Sequence, residues 1–282
     1  MTFGDIIWLI FLLSAIQPLL QQNTLRGRRV LALRQLEKRR GSRVINLIHR
    51  QERLSFFGLP FGRYLDIDDA EEVLRAIDLT DSNLPIDLVL HTPGGLVLAS
   101  QQIAHALLRH PAKVTVMVPH YAMSGGTLLA LAADEILLAP SAVLGPIDPQ
   151  IGQQPAASIL AAVHLKDISK IDDQTLVLAD MSTKAMSQIR EAATALLMTN
   201  GMDSAVAHKV ARALSDGRWS HDYPITAEMA KKLGLPVSTN LPEEVRSIIR
   251  LYPQPHGRRS SVEYIPTPYR RPPTRAAHDE YW

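Results

Sequence analysis

The chain has 282 residues, 46% of them hydrophobic and 21% charged, with 30 Lys and Arg against 28 Asp and Glu for a formal net charge of +2. That supply of apolar residues excludes a wholly disordered chain and is enough for a substantial core. The sequence contains no cysteine, which excludes disulfides and thiolate ligands, and its ten histidines show no metal-type pairing at helical spacing, so neither a metal nor a cofactor is expected.

The near-neutral total conceals a split. Ten Lys and Arg fall between Arg26 and Arg53, whereas the stretch from Leu54 to Ile249 carries 14 basic and 22 acidic residues. An acidic body argues against nucleic acid as a partner.

The first predicted element is the apolar run from Ile6 to Ile16, which continues through Gln17 and Pro18 to Leu19 and Leu20. It suits a short membrane helix, at the lower limit of about 17 residues. No Lys or Arg precedes it, against a secretory signal peptide. The basic cluster that follows predicts an N-terminus outside and the rest of the chain in the cytoplasm. Residues 1–25 are therefore expected to be a single-pass anchor in the cell membrane. Residues 26–53 interleave Leu31, Leu33, Leu36, Val44, Leu47 and Ile48 with the basic residues, and are expected to form a juxtamembrane segment lying on anionic lipid.

Residues 54–249 read as one α/β domain in which strands alternate with helices, predicting right-handed βαβ units and a mostly parallel sheet. The run from Ile86 to Leu90 suits a buried strand, and Pro93-Gly94-Gly95 ends it with a turn whose backbone N–H groups are unobstructed by side chains. A second strand runs from Lys113 to Val118. It turns into Ala122-Met123-Ser124-Gly125-Gly126, followed by a buried helix from Thr127 to Ala133. Ser124 then sits where a strand meets a helix N-terminus, and the Gly125 N–H is free to join that of Gly95 or Gly94 in holding an oxyanion. Either glycine cluster alone reads as an ordinary turn. Two such turns after successive strands, one with a central serine, favour a catalytic pair.

The series continues with Ala133-Asp134-Glu135-Ile136 and Leu144-Gly145-Pro146-Ile147-Asp148-Pro149-Gln150. In this combination the chain resembles the Clp protease proteolytic subunit and signal peptide peptidase A superfamily, which has the crotonase-like fold of repeated ββα units, and within it the serine dehydrogenase proteinase family. The resemblance spans roughly Leu54 to Leu241. It implies a serine peptidase in which Ser124 is the nucleophile and Gly94 or Gly95 forms the oxyanion hole with Gly125. The Clp-type histidine would fall between Leu144 and Gly152, where the chain has Asp148 and no histidine. The signal-peptide-peptidase branch uses a lysine instead, and matching the Asn200-Gly201 turn puts Lys184 at that position.

A helix opening at Ser182 or Thr183 would hold Lys184 in its first turn, where the positive end of the dipole disfavours the ammonium. Service as a base requires a drop from about 10.4 to about 7 or 8, and hence burial. Lys166 and Lys170 are the alternatives, in a polar stretch that reads as a solvated loop. His91 and His120 flank the two turns and read as structural. Asp148 is open to a role in ordering the site or a subunit contact.

Towards the end, Trp219 to Leu235 resembles the closing element of the superfamily, with Thr226 capping a helix that stops at Gly234 before a last strand. Residues 250–282, rich in Pro and Arg, read as a disordered tail. The expected function is a membrane-anchored serine peptidase with a Ser-Lys dyad, acting on short, unfolded or membrane-protein substrates, touching lipid and forming a homo-oligomer. A crotonase-type acyl-thioester enzyme and an inactive membrane scaffold are the competing readings.

Overall fold

The computed structural model describes residues 24–49, 54–56, 59–61 and 64–252. The apolar run expected to be the membrane anchor and the tail after Tyr252 lie outside the described residues. Among the described residues no helix is long and apolar enough to cross a membrane.

Residues 24–40 form helix α1, which leads into strand β1 (Arg43–Ile48). A short hairpin, β2 (Leu54–Phe56) and β3 (Leu59–Phe61), precedes α2 (Ile67–Asp78). Then come β4 (Ile86–His91), α3 (Val97–Arg109), β5 (Val114–Val118), β6 (Tyr121–Ala122) and α4 (Gly125–Leu131). The chain continues through β7 (Glu135–Leu138), β8 (Val143–Leu144), the pair β9 (Gln150–Ile151) and β10 (Gln154–Pro155), and α5 (Ala156–His164). A 3-10 turn at Ile168–Lys170 precedes the longest helix, α6 (Asp173–Thr199), and its partner α7 (Ser204–Ser215). The closing elements are β11 (Ile225–Thr226), α8 (Ala227–Lys232), β12 (Val237–Ser238) and α9 (Glu243–Arg250).

Five strands form one parallel sheet in the order β1-β4-β5-β7-β12, and β11-β8-β6 form a smaller second sheet. The first strand of each β-β unit, β5 or β7, goes to the large sheet, and the second, β6 or β8, to the small one. Side chains alternate across the large sheet with the period of two expected of strands. Leu88, Leu90, Val116, Val118, Ile136 and Leu138 enter the main core on one face. Val44, Val89, Met117 and Leu137 meet Leu36 of α1 and Val245 and Ile248 of α9 on the other.

This packing corrects the reading of residues 26–53 as a segment outside the domain. Their second half supplies edge strand β1, paired in register with β4 from Arg43↔Ile86 to Ile48↔His91. Leu36, expected on a lipid surface, is completely buried. Part of the basic charge is also internal: Arg40 makes a two-pronged pair with Asp87 at 2.5 and 3.0 Å, and Ser42 Oγ donates to the same carboxylate at 2.6 Å. Asp87 is 1% exposed, so these three donors are what makes its charge tolerable inside β4.

Candidate active site

Ser124 stands at the N-cap of α4 with φ 50° and ψ −117°, the sole non-glycine residue at positive φ among those described. Such a conformation costs on the order of 1–3 kcal/mol and persists only where its surroundings enforce it. Here they do. Strand β6, with the residue after it, and the turn that follows β4 are joined by Thr92 N–H to Tyr121 O at 3.2 Å and Met123 N–H to Thr92 O at 3.0 Å. The Thr127 hydroxyl, fully buried, lies 2.8 Å from Ala122 O and accepts the Gly145 N–H at 3.0 Å, tying α4 to the loop that carries Asp148.

The glycines let these turns nest. Gly94 has φ 100°, and a Cβ there would lie 2.7 Å from Ser124 Cβ and 2.9 Å from Met123 O. A Cβ on Gly125 would lie 2.1 Å from Ser100 Oγ and only 3.7 Å from the Gly95 nitrogen, so the Gly95 and Gly125 amides are neighbours.

The Gly94 N–H is occupied, donating to Thr92 Oγ1 at 3.1 Å. The Gly94 carbonyl accepts from Leu65 N–H at 2.8 Å. In a trans peptide the N–H points opposite to the C=O, so this bond turns the Gly95 N–H away from Leu65. Neither that N–H nor the Gly125 N–H, in the first turn of α4, meets an acceptor among the described residues. Of the two upstream glycines expected as oxyanion donors, only Gly95 therefore has its amide available. Gly94 supplies space.

Ser124, Gly95 and Gly125 open on a cleft of about 1060 Å³, walled by Val97, Met123, Leu128, Ile147 and Ile189. Its titratable lining consists, among the described residues, of Tyr64, His105, Asp148, Glu191, His221 and Asp222. No lysine among the described residues belongs to it.

His221 comes from the segment between α7 and β11, held by the stacked rings of Trp219 and Tyr223 with centroids 5.2 Å apart. Its Nδ1 lies 2.9 Å from Asp148 Oδ1. The second carboxylate oxygen accepts from Gln150 Nε2 at 2.7 Å, and Asp148 is 2% exposed. The Asp148 hydrogen bond raises the His221 pKa above the ordinary imidazole value; burial opposes this, and the charges of Asp148 and Asp222 reinforce it. With the proton on Nδ1, facing the carboxylate, Nε2 keeps a lone pair and has no partner among the described residues.

Lys184 lies elsewhere than expected. Helix α6 opens well before Ser182, at Asp173 with Asp172 as its cap, so Lys184 is mid-helix and not in a first turn. Its side chain is 67% exposed and its Nζ donates to Asp180 at 2.6 Å. The α6 residues that face the cleft include Ala185, Gln188 and Ile189. Lys166 and Lys170 are exposed and do not line the cleft either. His91 is buried beside His120 and Tyr121, with ring centroids 5.5 and 4.3 Å away. No local pattern in the sequence points to His221, because Asp148 and His221 are 73 residues apart. They meet only once β11 pairs with β8 through Ile225↔Leu144. Its one sequence signal is the unpaired acid of Gly145-Pro146-Ile147-Asp148, a buried carboxylate in need of a cation.

The sequence profile of the family described as ClpP-like SDH-type serine proteinase matches residues 1–278. Protein MJ1495 of Methanocaldococcus jannaschii is 50% identical over 270 residues, covering 95% of this chain and 92% of that protein. Membrane protein NfeD1b of Bacillus subtilis is 28% identical over 158 residues, covering 55% of this chain and 33% of that protein. Among solved structures, the 1510-N membrane-bound stomatin-specific protease superposes with a TM-score of 0.45 at 18% identity, over 67% of this chain and 79% of that one.

Proposed function

Because the chain belongs to the ClpP-like SDH-type serine proteinase family, we propose that it hydrolyses peptide bonds through Ser124, with His221 as general base, Asp148 as its orienting carboxylate, and the Gly95 and Gly125 amides as oxyanion donors. The observation that carries this reading is the Asp148–His221 pair, with Nε2 unengaged, in the cleft that Ser124 and the two free amides also line.

In this mechanism a peptide lies in the cleft with its scissile carbonyl beside Ser124. Neutral His221 accepts the Ser124 proton on Nε2 as Oγ attacks the carbonyl carbon. The oxygen gains charge and is met by the Gly95 and Gly125 N–H groups, which are held by their turns and bonded to no other acceptor among the described residues. The imidazolium, stabilised by Asp148, hands its proton to the departing amine, leaving an acyl-enzyme. Water, deprotonated by His221 in its turn, releases the acid and restores Ser124. The apolar walls at Val97, Met123 and Ile147 suit an apolar substrate side chain.

The proposal replaces the lysine base expected from the resemblance with a histidine, and one experiment separates them. Hydrolysis of an unfolded protein substrate should be abolished by Ser124→Ala, fall by at least about a hundredfold in His221→Ala, and persist in Lys184→Ala. Loss in Lys184→Ala with retention in His221→Ala would return the base to the lysine.

The wider reading is a single-pass anchor at Ile6 to Leu20 with the peptidase on the cytoplasmic side, supported by the apolar run and the ten basic residues after it. Peptides, unfolded chains and membrane proteins near the bilayer are its proposed substrates, and a homo-oligomer its proposed state. Detergent-free membrane fractionation and protease protection of the full chain test the first part of this placement.

A further inference from the structure

His49, the residue after β1, is 4% exposed, yet both of its ring nitrogens are engaged. Nδ1 lies 2.8 Å from Thr92 Oγ1, and Nε2 lies 3.0 Å from Asp69 Oδ2. Thr92 is completely buried, and its Oγ1 accepts the Gly94 N–H at 3.1 Å. Asp69 occupies the third position of α2, where the same Oδ2 also accepts the Asp66 N–H at 3.1 Å in a capping box. A continuous chain of hydrogen bonds thus runs from the α2 N-terminus, across the end of β1, to the N–H of Gly94, the residue before Gly95.

The protons in this chain follow from counting donors. Thr92 has one hydroxyl proton and two acceptors in view, His49 Nδ1 at 2.8 Å and Gly94 O at 3.5 Å. The nearer takes it. Nδ1 then carries the lone pair, Nε2 carries the proton and donates to Asp69, and every polar atom from Asp69 to Gly94 is matched. Nothing in the hydrolytic step uses these groups. A buried polar chain is costly unless fully satisfied, and an apolar residue would fill position 92 with less desolvation. The chain ends instead on a turn with two consecutive glycines. Backbone bonds to Tyr121 and Met123 hold this turn at Thr92, and Leu65 N–H to Gly94 O at 2.8 Å and Leu96 N–H to Leu65 O at 2.8 Å hold its far side, while the Gly94 N–H itself is held by Thr92 Oγ1.

We propose that Asp69, His49 and Thr92 are positioning residues that fix the Gly94–Gly95 turn so that the Gly95 N–H faces the cleft. The proposal rests on reading that amide as an oxyanion donor. Losing the relay should release the Gly94 amide and cost turnover, with little change in substrate binding, because the oxyanion forms only after the complex does.

The test compares Thr92→Val, His49→Phe and Asp69→Ala with Thr92→Ser, in the full chain. Hydrogen exchange of the fragment spanning residues 92–96 should be at least about tenfold faster in the first three and near the parent rate in Thr92→Ser, with exchange in β5 unchanged. The kcat of Ser124-dependent hydrolysis should fall about a hundredfold in Thr92→Val at a KM within about threefold, and Thr92→Ser should restore it to within about fivefold. Unchanged exchange at residues 92–96 overturns the proposal, and so does faster exchange with an unchanged kcat. If the parent chain shows no Ser124-dependent hydrolysis, the peptidase reading fails, and the exchange comparison still decides whether the relay holds the turn. Asp69, part-exposed at the end of the chain of bonds, keeps the test open should a core variant fail to fold.

Discussion

Gly94 and Ser124 sit so close that a Cβ on the glycine would lie 2.7 Å from the serine Cβ. The contact joins the turn after β4 to the turn before α4, so the two elements cannot be altered independently. Gly94→Ala meets both this overlap and a backbone at φ 100°, which L side chains avoid. The variant should lose roughly 2–3 kcal/mol of stability and most of its turnover, measurable by denaturant unfolding and peptide hydrolysis in parallel.

The pH profile of kcat/KM should show an acid limb set by His221. Asp148 raises the pKa of this imidazole, so the limb belongs above the ordinary value for histidine. Asp148→Asn removes the cause and moves the limb to lower pH, while the rate on the plateau falls by about a thousandfold or more because the favoured tautomer is lost. The same shift has a stability counterpart. A group with a raised folded-state pKa contributes stability that is fully present below its unfolded value and is lost as pH rises through the folded one. Urea unfolding at a series of pH values should therefore show the parent losing part of its advantage over Asp148→Asn as His221 deprotonates.

Lys184→Ala removes an exposed pair with Asp180 on the surface of α6. Such pairs contribute between about 0 and 1 kcal/mol. Stability should change by less than about 0.5 kcal/mol and hydrolysis by less than about twofold, tested by thermal unfolding and the same substrate assay.

Arg40→Leu leaves Asp87 inside the sheet with Ser42 as its remaining side-chain partner. Removing one member of a buried charge pair costs about 3–5 kcal/mol, and the lower end applies because Arg40 is part-exposed. The double variant Arg40→Leu with Asp87→Asn should recover a good part of that loss, read by chemical denaturation.

The parts of the fold legible in the sequence were those whose signals are local. The runs Ile86 to Leu90 and Lys113 to Val118 are rich in β-branched and apolar residues because both faces of β4 and β5 are covered, and every residue of β4 (Ile86–His91) and β5 (Val114–Val118) is buried. Thr226 reads correctly as a cap, its side chain accepting from Met229 N–H at 3.3 Å. The helix carrying Lys184 misled for a physical reason. Ser182 and Thr183 are residue types that cap helices, but here they bond back to Leu178 O and Ala179 O at 2.7 and 3.0 Å within the helix interior. The true cap is Asp172, which accepts from Thr175 N–H at 3.0 Å. Strand β1 was hidden because its flanking arginines dominate the composition, whereas the Arg40–Asp87 pair that internalises one of them is a tertiary contact. The Asp148–His221 and Asp69–His49–Thr92 contacts are of the same kind. Each requires the sheet to close before its members meet, so no local pattern announces them.

Activation of Ser124 by His221 is tested most directly by the rate at which a fluorophosphonate probe labels Ser124, read by intact and peptide mass spectrometry. A single adduct on Ser124 is expected in the parent and in Lys184→Ala at equal rates, with labelling slowed at least about a hundredfold in His221→Ala. Labelling that is indifferent to His221, or that depends on Lys184, would contradict that activation.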